Sequence, residues 1–154
     1  MKNKIVILGS TGSIGESLLK IIDKDRQNFE IKLLTANKNY KKLLFQAKLF
    51  NVKNVILSDT KVFKEHKKKF LNKKINIYNN FNLIKKILKK KRIDYAMSSI
   101  VGLDGLYPTI ELIKYTKKLA IANKESIICA WNLILKELKK YKTNFIPVDS
   151  EHFS

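Results

Sequence analysis

Lys4-Ile5-Val6-Ile7-Leu8-Gly9-Ser10-Thr11-Gly12-Ser13-Ile14-Gly15 is an apolar run that enters a glycine-rich turn and opens a helical pattern. Ile5 to Leu8 are apolar without alternation, as expected of a parallel strand buried on both faces. A glycine turn at the carboxyl end of such a strand lets backbone N–H groups and the positive end of a helix dipole converge, an arrangement that suits a diphosphate. The spacing is G-x-x-G-x-x-G, which departs from the G-x-G-x-x-G dinucleotide fingerprint. The weight of the motif therefore comes from its position between a strand and a helix.

Outward from this turn the chain alternates. Ser13 to Asp23 carries Ile14, Leu18, Ile21 and Ile22 at helical spacing, and Phe29 to Ala36 reads as a second strand. Helical patterns follow at 41–50, 61–71 and 81–91, and strands at 52–57, 75–78 and 93–97. Pro108 suits the first turn of a helix running to Tyr115; Leu119 to Ala122 is a further strand, and a long helix runs to about Tyr141. Strand, turn and helix repeat without a Gly/Ser linker. This order predicts an α/β fold, a doubly wound Rossmann-like parallel sheet with helices on both faces, as one domain over residues 1–145.

Polar residues collect where the strands end. Asn37-Lys38-Asn39 follows the second strand, where an NAD-binding unit commonly places an acid for the ribose 2′-hydroxyl. Amides and a lysine there favour the 2′-phosphate of NADP. Ser98-Ser99-Ile100-Val101-Gly102 and Asn123-Lys124-Glu125-Ser126 end two later strands, at the edge where open α/β sheets bind ligands. The last segment, 146–154, changes character. In an extended segment Asp149 and Glu151 share a face, and two carboxylates there suit Mg²⁺ or Mn²⁺. His152 faces the other way.

The net charge of +19 raises nucleic-acid binding as a possibility. Against it, only Arg26 and Arg92 of the 32 basic residues are arginines, whereas base and phosphate readout favours Arg. Lys, Asn and Ile fill 64 of 154 positions, the signature of an AT-rich coding sequence, and the lysines read as scattered over outer helix faces. No nucleic-acid partner is expected. No apolar run reaches the length of a membrane span and no signal-peptide pattern opens the chain, so a cytoplasmic protein without a membrane partner is expected. His66 reads as a solvated residue of a lysine-rich helix and not as a metal ligand. Cys129, the single cysteine, reads as a packed and inert thiol.

Together, Gly9-Ser10-Thr11-Gly12-Ser13-Ile14-Gly15, Ala122-Asn123-Lys124-Glu125-Ser126 and Pro147-Val148-Asp149-Ser150-Glu151-His152 resemble the 1-deoxy-D-xylulose 5-phosphate reductoisomerases of the non-mevalonate isoprenoid pathway. The resemblance covers the whole chain, with the three motifs in the family's order. It implies NADPH-dependent rearrangement and reduction of a phosphorylated ketose to 2-C-methyl-D-erythritol 4-phosphate, with Mg²⁺, Mn²⁺ or Co²⁺. By this resemblance Thr11, Gly12, Ser13 and Ile14 hold the cofactor diphosphate. Asn37, Lys38 and Asn39 surround its ribose and 2′-phosphate, and Asn123 and Glu125 also touch the cofactor. Lys124, Ser150 and Glu151 contact substrate, Lys124 and Glu151 as the catalytic pair, and Asp149 and Glu151 hold the metal.

Asn37 stands where the family often has Gly, and Asn is among the residues that best tolerate positive φ. Family members are also much longer and typically homodimeric. The resemblance thus implies that 146–154 begins a metal- and substrate-binding catalytic domain of which this chain is an incomplete N-terminal part. It is expected to bind NADPH and to turn over little or no substrate. The alternative is a standalone NADP-binding module without catalysis.

Overall fold

The protein is described by a computed structural model covering residues 1–89 and 91–148. Its strands are β1 (Asn3–Leu8), β2 (Phe29–Ala36), β3 (Asn54–Leu57), β4 (Asn76–Tyr78), β5 (Ile93–Ser98), β6 (Thr116–Ile121) and β7 (Asn144–Pro147). The helices are α1 (Ser13–Asp23), α2 (Tyr40–Leu49), α3 (Thr60–Leu71), α4 (Ile84–Leu88), α5 (Leu106–Ile113) and α6 (Lys124–Tyr141). All described strand pairs are parallel, in the order β4-β3-β2-β1-β5-β6-β7. The chain winds outward from β1 to β4, returns to the other side of β1, and winds outward again to β7. The crossing point between β1 and β5 is the topological switch point.

β1 illustrates how the sequence divides the interior. Ile5 and Ile7 enter one core with Leu19 and Ile22 of α1, Leu43 and Ala47 of α2 and Phe70 of α3. Val6 and Leu8 enter the opposite core with Ile84 and Leu88 of α4, Leu112 and Ile113 of α5, and Ile134 and Leu138 of α6. A period of two thus feeds two cores, which is why the run shows no polar alternation. Val6, Ile7 and Leu8 are completely buried, and burying each such side chain is worth about 1.5–3 kcal/mol.

Several expectations change in the structure. The helix expected over 81–91 opens as a 3₁₀ turn at Phe81–Leu83 and continues as α4 only to Leu88. Asn80 bonds the Asn82 N–H at the start, and left-handed Lys89 (φ 51°) ends it. β6 begins at Thr116, not Leu119. Thr116 is buried and pairs with Ile93, but exposed Lys117 and Lys118 hide the strand from an apolar pattern. The sheet also runs past residue 145, since Ile146 and Pro147 pair with Ala120 and Ile121.

Cys129 is exposed, because α6 turns Ser126, Ile134 and Leu138 inward and Cys129 lies off that face. The helix kinks beside it, at non-helical Ala130 (φ −138°). His66 is not a freely solvated residue either: its ring stacks on Tyr40 at 3.6 Å between centroids, where α3 meets α2. Asn37 is absent from the residues with positive φ, so its turn makes no use of the left-handed tolerance of Asn.

Candidate functional site

The turn after β1 is fixed from three directions. Ser10 donates its N–H to the Thr35 carbonyl (2.9 Å), and Gly9 donates its N–H to Thr35 Oγ1 (2.9 Å), tying the turn to the end of β2. On the β5 side the Ser99 hydroxyl donates to the Leu8 carbonyl (2.8 Å). Below the turn, buried Ser10 and Gln46 of α2 exchange two hydrogen bonds. Gly9 adopts φ +80°, and a Cβ there would lie 2.9 Å from the Ser99 carbonyl oxygen. At Gly15 a Cβ would lie 2.5 Å from the Gly9 oxygen and 2.6 Å from Ser10 Cα, so α1 packs directly on the turn. Two of the three glycines are therefore steric requirements of a close backbone approach.

This packing aims the start of α1 at the switch point. Gly12 is its N-cap and has no side chain to occupy the first-turn N–H groups, in contrast to Asn39, Asp59 and Asn123, which cap α2, α3 and α6. Open N–H groups and the helix dipole favour an anion. In front of the turn lies a cavity of about 580 Å³, lined by Gly9, Thr11, Gly12, Asn37, Ser58 and Ser99 among others. Its size and its lining by segments that follow five strands, β1 to β5, suit an extended nucleotide. The donor set fits a dinucleotide diphosphate.

The expected residues divide into those on the cavity and those beside it. Thr11, Gly12 and Asn37 line it. Ser13 and Ile14 form the first turn of α1; the Ile14 side chain packs toward the core, which leaves its backbone as the group to offer a ligand. Lys38 is exposed and its ammonium lies 3.9 Å from Asp59. Asn39 is the α2 cap, accepting the Lys42 N–H (3.2 Å). Asn123 is buried: its amide donates to the Ile100 and Gly102 carbonyls (2.6 and 2.7 Å), and its oxygen accepts the Ser126 N–H (2.9 Å). Its side chain thus locks the loop after β5 against α6. Lys124 and Glu125 are exposed in the first turn of α6.

Asp149, Ser150 and Glu151 lie outside the described residues. β7 ends at Pro147 in register with Ile121, which precedes Asn123 by two residues, so the chain leaves the sheet at the same edge as Lys124. Among the described residues no group of three or more His, Cys, Asp or Glu could hold a metal.

Sequence reasoning did not single out Thr35, Gln46, Ser58, Phe81 or Asp104. Thr35 carries a usable signal, a polar residue inside the apolar run Leu33 to Ala36. Gln46 and Ser58 carry none without the fold. A larger cavity, about 680 Å³, lies at the opposite, amino edge and is lined by Lys2, Lys4, Lys53, Lys86, Lys89 and Lys91, with Glu30 among them. The carboxylates shifted by their surroundings are on this edge too. The Lys32 ammonium holds Glu30 below the usual range, and the Lys4 backbone N–H does so for Asp94. This edge gathers strand starts and the ends of α2 and α4, without the open helix N-terminus that faces the smaller cavity.

Comparison with known proteins agrees with this geometry. The sequence profile of the family described as 1-deoxy-D-xylulose 5-phosphate reductoisomerase matches residues 5–131. The reductoisomerase of Pelagibacter ubique is 62% identical over 152 residues, covering 98% of this chain and 39% of that protein. The Zymomonas mobilis enzyme in complex with NADPH superposes with a TM-score of 0.89 at 31% identity, covering 99% of this chain and 40% of that one. A reductoisomerase crystallised with NADPH, fosmidomycin and magnesium gives 0.87 at 31% identity, covering 97% and 37%. The chain therefore spans about two fifths of the length of the relatives it matches.

Proposed function

Because the chain belongs to the 1-deoxy-D-xylulose 5-phosphate reductoisomerase family, we propose that it is the NADPH-binding part of such an enzyme. The observation that carries the reading is the Gly9–Gly15 turn, packed on α1 so that an N-terminus without a side-chain cap faces the switch-point cavity. Bound there, NADPH would supply hydride. Thr11, Gly12, Ser13 and Ile14 would hold its diphosphate through their backbone and the helix dipole. Asn37, Lys38 and Asn39 would border the adenosine ribose, with Lys38 for the 2′-phosphate. Asn123 would act by fixing the loop over the cavity, and Glu125 by contact from the same helix start.

The reading extends to the substrate of the relatives. Rearrangement and reduction of 1-deoxy-D-xylulose 5-phosphate to 2-C-methyl-D-erythritol 4-phosphate needs the ketose oxygens oriented and their charge offset. Lys124 would supply a compact positive charge at the edge where the cofactor binds. Asp149 and Glu151 would offer hard oxygen donors to Mg²⁺, Mn²⁺ or Co²⁺, whose Lewis acidity polarises such oxygens, with Ser150 on the substrate. In this proposal residues 1–145, with β7 completed by Ile146 and Pro147, form the cofactor domain, and the segment after Pro147 starts the catalytic domain, within a cytoplasmic homodimer. It includes no nucleic-acid or membrane partner; no helix among the described residues is long and apolar enough to cross a membrane.

The test is titration of the chain with NADPH, followed by NADPH oxidation with the ketose phosphate and Mg²⁺ for this chain and for a form extended to the relatives' length. Saturable binding by the chain and turnover only by the extended form are expected. Absence of binding would overturn the cofactor assignment. Binding without turnover in either form favours the standalone module.

A further inference from the structure

The ends of β2 and β3 are stitched into one rim. Ser58 donates its N–H to the Ala36 carbonyl and Asp59 to the Asn37 carbonyl, both at 3.0 Å, and the Ser58 hydroxyl donates to Asn37 Oδ1 (3.2 Å). Asp59 then divides its carboxylate. Oδ1 accepts the Val62 N–H at 2.9 Å and caps α3, while Oδ2 lies 3.9 Å from Lys38 Nζ. The two partners differ in freedom, since the Asp59 side chain is 23% exposed and that of Lys38 is 71% exposed. The acid is anchored by its cap bond and the lysine extends into solvent. A fixed negative charge therefore sits beside the one cation of the Asn37-Lys38-Asn39 turn, whose first residue, Asn37, lines the cavity.

From this we infer that Asp59 is a specificity-determining residue of the cofactor site, tempering the preference of Lys38 for a 2′-phosphorylated dinucleotide over an unphosphorylated one. The inference rests on the NADPH reading above. A 2′-phosphate drawn to Lys38 must share or displace the Asp59 carboxylate, and it approaches a like charge in doing so. A free ribose hydroxyl meets no such repulsion, and a carboxylate is the usual acceptor for it. Lys38 alone would select strongly for the phosphate; Lys38 with Asp59 selects less strongly.

The experiment compares dissociation constants for NADPH and NADH in the unaltered chain, Asp59→Asn, Lys38→Ala and the double variant. Asn also caps helices, so Asp59→Asn removes the charge and keeps the Val62 contact. Asp59→Ser, neutral and likewise a good cap, is the second variant should the first fail to fold. Removing the charge should raise the NADPH-over-NADH affinity ratio by about two- to fivefold, the range of an exposed charge pair. The rise should shrink at high salt and vanish in the Lys38→Ala background. An unchanged or falling ratio, or a rise that persists without Lys38, overturns the inference while leaving the cofactor reading intact. Failure of the unaltered chain to bind either dinucleotide overturns both.

Discussion

Ser10 and Gln46 hold each other through two hydrogen bonds. The Ser10 hydroxyl donates to Gln46 Oε1 at 2.8 Å, and Gln46 Nε2 donates to the Ser10 carbonyl at 2.9 Å, with both residues buried. The pair bolts α2 to the turn that faces the cavity, so a helix touching no ligand fixes the phosphate-facing backbone. Gln46→Leu keeps the bulk but strands the buried Ser10 carbonyl and leaves the Ser10 hydroxyl only its longer bond to the Thr35 carbonyl (3.3 Å), which should cost about 2 kcal/mol. Urea unfolding of Gln46→Leu, Ser10→Ala and the double variant measures it. Simple additivity of the two single effects would mean that the residues do not act as a unit.

Gly15 and Gly12 look alike in the sequence, but the structure separates them. A Cβ at Gly15 would collide with backbone of Gly9 and Ser10, which has no side chain to swing away, whereas at Gly12 the nearest atom is 3.7 Å distant. Gly15→Ala should destabilise by about 3 kcal/mol, at the upper end of overpacking effects, and displace the turn. Gly12→Ala should cost about 1 kcal/mol, for a poorer N-cap. Thermal unfolding of the two variants decides it, and equal losses would refute the close packing of α1 on the turn.

Much of this was legible because each strand is bounded by turn residues and each helix shows one apolar face. Phe29–Ala36 and Ser13–Asp23 coincide with β2 and α1 residue for residue. What was not legible depended on neighbours. Lys117 and Lys118 are both exposed, in a strand defined by its pairing with β5 and β7. Cys129 sits among apolar letters, yet the direction of α6 leaves it in solvent. At the site, the sequence marks loops but not the work of their side chains: Asn39 and Asn123 follow the ends of β2 and β6 and spend side-chain groups on caps and a loop lock.

Asp94 gives the fold an acid sensitivity at the edge far from the cavity. The Lys4 backbone N–H donates to one carboxylate oxygen at 2.8 Å and Lys117 to the other at 3.2 Å. Chiefly through the Lys4 bond, the carboxyl is held below its usual value of 3.8. A lowered folded value means that the stabilisation is complete above 3.8 and fades as pH falls through the folded value. Asp94→Asn should therefore be less stable than the unaltered chain at pH 7, and the gap should narrow at pH 3. Denaturant unfolding at both pH values checks this; a gap that widens in acid would contradict the assignment.

Asn123 permits the sharpest test of a residue that a motif assigns to ligand contact and the structure engages internally. Its Nδ2 donates to two carbonyls of the loop after β5, while its Oδ1 caps α6. Asn123→Asp preserves the cap acceptor but turns the other arm into an oxygen facing two carbonyl oxygens inside the protein. A buried carboxylate with one oxygen left against two carbonyls and without a donor is worse than a missing side chain, so Asn123→Asp should destabilise by about 3 kcal/mol at pH 7, more than Asn123→Ala. Those surroundings raise the new carboxyl's folded value above the unfolded one, so the penalty should ease as pH drops and the group protonates, regaining one donor. Unfolding midpoints of both variants between pH 5 and 8 supply the comparison. If Asn123→Ala is the more damaging at pH 7, the loop lock is not the main use of this side chain.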